Sequence, residues 1–221
     1  MLDLFVYNDI GANAVRCLAP LGVIRNVYAI ADDEFTWMVC SELNIPCLTL
    51  RERVNNPARF GLSVHYKDKI SNEIIDQYDA IYNCHPGFLP YGKGMHPVFW
   101  ALYDNEPAGA SIHEMTDDID EGPIVSRVQV PYDDIDTGMS LMYRVLMAER
   151  ILYVELVSML VKGRRPKAVE QLNGGSFHFA RDILELKKPE YYNSLTSSQY
   201  EKLRRCLVYR NMSNIPAKRG A

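Results

Sequence analysis

The sequence predicts an α/β fold with a mostly parallel sheet flanked by helices, and three observations lead there. Short apolar strand-like runs alternate with helical patterns through the first half of the chain. Closely spaced proline and glycine then stop the alternation abruptly, and a long amphipathic helix follows.

Residues 2–7 form an apolar opening strand, followed by helical spacing over 12–18, a strand over 23–30, a helix over 33–43 and a strand over 47–50. This is the rhythm of βαβ units, and Asp32 or Asp33 is positioned to cap the second helix. Strands at 62–66 and 80–83 flank a short helix over 71–77. Pro86, Pro90, Gly92 and Gly94 then force a loop, because proline and glycine at that density sustain neither a ladder nor a helix. A helix over 96–103 precedes a strand pair, 110–115 and 123–130, separated by the acidic stretch 117–121. Leu141, Val145, Ala148, Leu152 and Leu156 recur every three or four residues and mark one face of a helix over 140–162. Arg144, Glu149, Arg150 and Glu155 interrupt that segment, so it reads as amphipathic and not as a membrane span. An edge strand over 167–172 closes the core. Residues 1–172 are therefore read as a catalytic core and 173–221 as an extension with a strand over 176–179, a helix over 197–208 and a frayed end over 211–221.

With 221 residues, 48% hydrophobic and 24% charged, the chain has the composition of a soluble globular protein. A formal charge of -4 gives no general attraction for nucleic acid or membranes, so an anionic ligand needs a local basic site. Five cysteines without CxxC spacing argue against a disulfide framework or a zinc ribbon, and no metal is expected. The apolar start carries no signal-peptide pattern. A cytoplasmic, unprocessed protein is the expectation.

The most informative segment is Asn83-Cys84-His85-Pro86, with Asp120-Glu121-Gly122-Pro123 further on. Alternation along a strand puts Asn83 and His85 on one face and Cys84 on the other. Pro86 ends the pairing and leaves the imidazole at a strand's carboxyl end, where open α/β sheets hold their ligands. An imidazole exchanges protons near neutrality, and an amide donates to a developing oxyanion without titrating. Asp120 could hold His85 in a useful tautomer or relay a proton through water. No serine, cysteine or metal belongs to this group, which points to an external nucleophile attacking an acyl carbon. His65, His96 and His113 are read as structural, and Asp117 and Asp118 as solvated turn residues. The turn 8–13 lacks GxGxxG and GxxxxGK[ST], so neither a dinucleotide site nor a P-loop is expected.

Asn83-x-His85 with Leu89-Pro90, together with Ile119-Asp120-x-Gly122-Pro123-Ile124 and the preceding Ser111-Ile112-His113, resembles the two motifs of the folate-dependent formyltransferase family. That family includes glycinamide ribonucleotide, methionyl-tRNA and nucleotide-sugar formyltransferases. The resemblance covers residues 2–162 and is strongest over 81–130. It implies a Rossmann-like formyltransferase core and transfer of a formyl group from N10-formyltetrahydrofolate to an amine. Carried over, Asn83 polarises the formyl oxygen and steadies the tetrahedral intermediate. His85 is the general base or stabilises developing charge, and Asp120 orients it and assists proton removal. The pterin is expected between Tyr66, Lys67 and Ile70 on one side and Met115, Thr116, Asp117 and Ile119 on the other. Asp68 and Lys69 depart from the apolar residues common there.

The chain reads as too short for the C-terminal domain of the tRNA-modifying relatives and as lacking the regulatory domain of formyltetrahydrofolate hydrolases. The segment 89–100 is similar to the loop and aromatic helix of sugar N-formyltransferases. A nucleotide-linked 3-amino or 4-amino deoxysugar, a precursor of surface glycans such as a lipopolysaccharide O-antigen, is the acceptor this implies. Asn8, Asp9, Tyr91, Lys93 and Trp100 are the candidate contacts, with a core role for Phe99 equally open. The alternatives are a phosphoribosylglycinamide formyltransferase, a formyltetrahydrofolate hydrolase and a non-catalytic binding module. The tail from residue 176 is a candidate homodimer element.

Overall fold

A computed structural model describes residues 1–50 and 56–208. In chain order the elements are β1 (Leu2–Val6), α1 (Asn8–Leu18), a 3-10 turn (Ala19–Leu21), β2 (Ile24–Tyr28), α2 (Glu34–Leu43), β3 (Cys47–Leu48), β4 (Phe60–Val64), α3 (Asn72–Ile75) and β5 (Ala80–His85). They continue with β6 (Lys93–Gly94), α4 (Pro97–Asp104), β7 (Gly109–Glu114), β8 (Ile124–Gln129), α5 (Gly138–Val161), β9 (Phe177–His178), α6 (Asp182–Leu186), α7 (Pro189–Ser194) and α8 (Ser197–Leu207).

Seven strands form one sheet in the order β3-β2-β1-β4-β5-β7-β8. Pairing is parallel from β3 through β5 and turns antiparallel at β5 and β7. This is the mostly parallel, helix-flanked α/β architecture that the alternating runs predict. Every residue of β1 and β4 is buried, as a sheet covered on both faces requires.

By their internal packing, residues divide into two compact units. One comprises Met1–His85, Ser111–Ser126 and Arg150–Glu170; the other comprises Pro86–Ala110, Arg127–Glu149 and Gln171–Ala221.

In the first unit, Asp3 is fully buried within β1. It accepts hydrogen bonds from the Ala58 amide at 2.9 Å, the Tyr78 hydroxyl at 2.9 Å and the Asn26 side chain at 3.0 Å. A carboxylate tolerates such burial only because three donors replace water. Asp3→Ala orphans these donors and is expected to cost roughly 3 kcal/mol in urea denaturation, since each unsatisfied buried donor costs about 1–3 kcal/mol. A loss below about 0.5 kcal/mol would remove the network from the account of stability.

Of the two capping candidates, Asp33 does the work. Its carboxylate accepts from the Thr36 amide and hydroxyl at the start of α2 and also from the Asn8 amide at 2.9 Å. That last bond explains why α1 begins at Asn8, four residues before the expected start. Asn8 takes a left-handed φ of 60°, and its own side chain accepts from the Ile10 amide.

The apolar face of α5 is buried at Leu141, Val145, Ala148, Leu152 and Leu156. Among the described residues no helix is long and apolar enough to cross a membrane.

Two expectations change. The edge strand over 167–172 reduces to one antiparallel bridge, Val169 with Ile124, because only Val169 exchanges backbone bonds with β8. The extension contains α6 and α7 as well as the expected strand and helix. Short helices of this kind carry too few turns for periodicity to register. The expected fraying over 211–221 lies outside the described residues.

Candidate active site

β5 and β7 run antiparallel with Asn83 opposite His113 and His85 opposite Ser111. Directly paired residues project to the same side. Asn83, His85 and His113 therefore share one face, and Cys84 lies buried on the other, within electrostatic reach of Tyr153 on α5. Cys84→Ala is expected to keep more than about half of the wild-type kcat, because the thiol is turned from the polar face. A variant that folds but loses turnover would show that the chemistry lies on the other face.

The second motif brings Asp120 onto this face. Glu114, at the end of β7, donates its amide to the Pro123 carbonyl at 2.9 Å, which closes the intervening segment. Asp120 sits in that segment with a left-handed φ of 57°, a conformation that aspartate tolerates better than most side chains. Gly122 lies so close to β7 that an added Cβ would stand 1.8 Å from the Glu114 carbonyl oxygen.

Asp120 is buried to 9% exposure and its two oxygens face two imidazoles. Oδ2 is 3.5 Å from His85 Nδ1, and Oδ1 is 3.4 Å from His113 Nε2. The rings stand nearly perpendicular, 6.4 Å apart. Asn83 Nδ2 lies 3.2 Å from His113 Nε2 and 3.5 Å from Asp120 Oδ1.

The tautomer of His113 follows from its other nitrogen. Nδ1 is 3.0 Å from the Glu114 carbonyl, which only accepts, so Nδ1 carries hydrogen. In the neutral ring Nε2 then accepts from the Asn83 amide. In the imidazolium it donates towards Asp120. Asn83 thus has one N–H engaged by His113 and a second at the outer limit of a hydrogen bond, loose enough to turn to a substrate oxygen.

His113 is the residue that the sequence reading assigned to structure. Its spacing two residues after Ser111, on the strand preceding the Asp120 motif, is the signal. Only the antiparallel register makes it decisive, because that register sets His113 opposite Asn83.

The first unit also holds an apolar cluster that carries several of the residues expected at the pterin. Ile70 is buried with Phe5, Tyr28, Tyr78 and Ile81, and half-buried Tyr66, Met115, Leu48 and Leu50 pack against that group. Burial, reinforced by Asp68, pushes the Tyr66 phenol up to about 12. Lys67 places its ammonium 5.4 Å from the centre of the Tyr7 ring. Asp117 pairs with Lys69 at 3.0 Å, and that hydrogen bond holds its carboxyl below the ordinary range. Thr116 donates to the Asp118 carbonyl, and Ile119 is exposed. Asn8 and Asp9 open α1, where the Asn8 amide is already used by Asp33.

The other candidate contacts belong to the second unit. Tyr91 is exposed, whereas Lys93 is buried in β6, which pairs in parallel with β9. Trp100 is buried, with His178 stacked on it at 3.9 Å and Phe99 and Tyr103 edge-on. A base reaching that indole face would have to displace His178. Phe99 is a core residue, at 1% exposure. Among the described residues no group of three or more His, Cys, Asp or Glu is arranged to hold a metal.

A Rossmann-like sheet presenting Asn83, His85 and Asp120 at the carboxyl end of β5 defines a class. Residues 58–157 match the model of the formyl transferase family. Among curated relatives, a dTDP-4-amino-4,6-dideoxyglucose formyltransferase from Mycobacterium bovis is 27% identical over 153 residues, 69% of this chain and 64% of its own length. The chain thus spans a little under two thirds of such relatives. In fold it resembles a sugar N-formyltransferase from Shewanella, with 20% identity, 96% of this chain and 90% of that one covered and a TM-score of 0.77. It also resembles an N-formyltransferase from Helicobacter canadensis solved with folinic acid and dTDP-3-aminofucose, with 17% identity, 95% and 81% coverage and a TM-score of 0.75.

Proposed function

We propose that this protein transfers a formyl group from N10-formyltetrahydrofolate to the amine of a nucleotide-linked amino deoxysugar. The observation that carries the reading is the Asp120 carboxylate set between two imidazoles with the Asn83 amide beside it. The folate substrate supplies an activated formyl carbon. Asn83 turns its loosely held N–H to the formyl oxygen as negative charge grows there. Asp120 holds His85 by Nδ1, so Nε2 takes the proton released by the amine as its nitrogen bonds to the formyl carbon; the bond from that carbon to N10 of the folate then breaks, and the departing N10 takes the proton. His113, fixed through Glu114, keeps the Asn83 amide and Asp120 in register. The half-buried side chains over Ile70 suit a flat pterin ring, and Tyr66, Lys67, Met115, Thr116, Asp117 and Ile119 are assigned to it.

The assignment of an amino sugar rests on the curated relative and on Tyr91, Lys93 and Trp100 in the segment similar to the sugar enzymes. Asn8 and Asp9 are assigned to the same acceptor. A cytoplasmic location, a homodimer and a role in surface-glycan precursors belong to the same proposal, as does a core over residues 1–172.

The test is tetrahydrofolate release measured against a panel of dTDP- and UDP-linked 3-amino and 4-amino deoxysugars, with glycinamide ribonucleotide alongside. Release should require an amino sugar. An equal rate without any amine would make the protein a hydrolase, and turnover of glycinamide ribonucleotide alone would replace the acceptor.

A further inference from the structure

The chain that leaves α5 returns to the back of the site. Arg164 donates its amide to the Met159 carbonyl and Gly163 to the Leu160 carbonyl, both at 3.0 Å, a paired stop with Gly163 in the left-handed conformation at φ 71°. Pro166, just past that turn, is buried and cannot extend the helix. The segment 165–169 then meets the Asp120 connection, residues 115–123, at both of its ends. At the entry, Arg165 Nη2 donates to Glu114 Oε1 at 3.2 Å. At the exit, Val169 and Ile124 exchange backbone bonds of 2.9 and 2.8 Å. Glu114 follows His113 along β7, so its side chain leaves the strand on the face opposite to the imidazole. Arg165 therefore grips the strand from behind and acts on the polar face through the Glu114 main chain. That one residue accepts from His113 Nδ1 at 3.0 Å, donates to the Pro123 carbonyl at 2.9 Å and receives the close approach of Gly122.

We propose that Arg165 is a positioning residue for formyl transfer: with the Val169 bridge it straps the two ends of the connection 115–123 together and so fixes Asp120 between His85 and His113. The guanidinium side chain is 49% exposed and the carboxylate 22%, so water screens the pair and its share of global stability is small. Its consequence is positional. The connection carries an aspartate at φ 57° and a glycine pressed against a carbonyl oxygen, and it opens by parting its two ends. A cation tied to the entry, four residues before a bridge tied to the exit, resists that parting. The effect on turnover rests on the formyl-transfer reading, whereas the strap itself does not.

Hydrogen exchange of the full chain, followed by mass spectrometry, reads the strap without any substrate. In Arg165→Ala, peptides over 115–123 should exchange several-fold faster than in the wild type while those of β1 and β4 stay unchanged. Arg165→Lys should restore the slow rate, because the bond to Glu114 uses the single nitrogen Nη2. With N10-formyltetrahydrofolate and dTDP-4-amino-4,6-dideoxyglucose, Arg165→Ala should lower kcat about five-fold and leave the KM of the amine within about two-fold. Its melting temperature should move by less than about 3 °C, and Arg165→Lys should recover kcat to within about two-fold. Glu114→Ala should match Arg165→Ala, and the double variant should be no worse than either, since the two act as one unit. Unchanged exchange over 115–123, a lysine variant that stays at the alanine level, or additive losses would each overturn the proposal. A wild-type protein that releases no tetrahydrofolate would instead remove the formyl-transfer reading, and the exchange rates would still decide the strap.

Discussion

Asp120→Asn is expected to lower kcat by about 10²-fold or more while the protein keeps its fold, the scale of losing a group that supports proton transfer. The substitution preserves shape and removes charge. With Nδ1–H of His113 committed to the Glu114 carbonyl and its Nε2 accepting from the Asn83 amide, a carboxamide at position 120 can still accept from Nδ1 of His85. What disappears is the negative charge that steadies the imidazolium once His85 holds the amine's proton. His85→Asn should fall in the same range, and the double variant should lose little beyond the worse single, because the two act as a unit. Initial rates of tetrahydrofolate release, with thermal melts to confirm folding, give the comparison. A folded Asp120→Asn protein with unchanged kcat would take this residue out of the proton path.

Gly122→Ala is expected to have a double effect, a loss of about 2–4 kcal/mol in stability and a large drop in turnover, through steric displacement alone. A Cβ would lie 1.8 Å from a backbone oxygen, where real contacts essentially never fall below 3.0 Å, so β7 and the turn must part by at least the difference, 1.2 Å. The obstacle is the Glu114 carbonyl, main chain that cannot rotate away. Glu114 also orients His113, and Asp120 is two residues from the new methyl group. One methyl thus disturbs both the carboxylate and His113 beside it, and a misplacement of about 1 Å can cost 10²-fold in rate. Urea denaturation and kcat are to be measured on the same preparation. Wild-type values for both would show that the close approach at Gly122 has no consequence.

Much of this was legible in the sequence because strand periodicity and proline-glycine punctuation are local signals. Residues 83–86 show which side chains share a face and where the strand stops. The Asp120 motif is legible as chemistry but not as geometry. Its approach to His85 depends on a reversal at Glu114 and Pro123, and its carboxylate meets Asn83 across 37 residues of sequence. His113 escaped for a related reason: a histidine within a strand looks structural until the direction of its neighbour is known, and a change from parallel to antiparallel pairing at β5 leaves no local trace. The same limit explains α1. Its first turn is set by Asp33, 25 residues on. At 167–172 the error ran the other way, since a short run returning after the long helix predicts an edge strand whether or not partners meet it along its length.

The left-handed turn at Asp120 divides the proposed site between two kinds of support. Asn83, His85 and His113 stand on paired strands, whose amides should be among the slowest in this unit to exchange with solvent hydrogen. Asp120 stands on a short connection clasped at Glu114 and Pro123. As temperature rises, the carboxylate is expected to be the first of the four groups to lose its position, with the imidazoles and the amide held by the paired strands. Heat inactivation is therefore expected to begin as a local opening of that connection, and activity lost on mild heating should return on cooling while the sheet's slow amides stay protected.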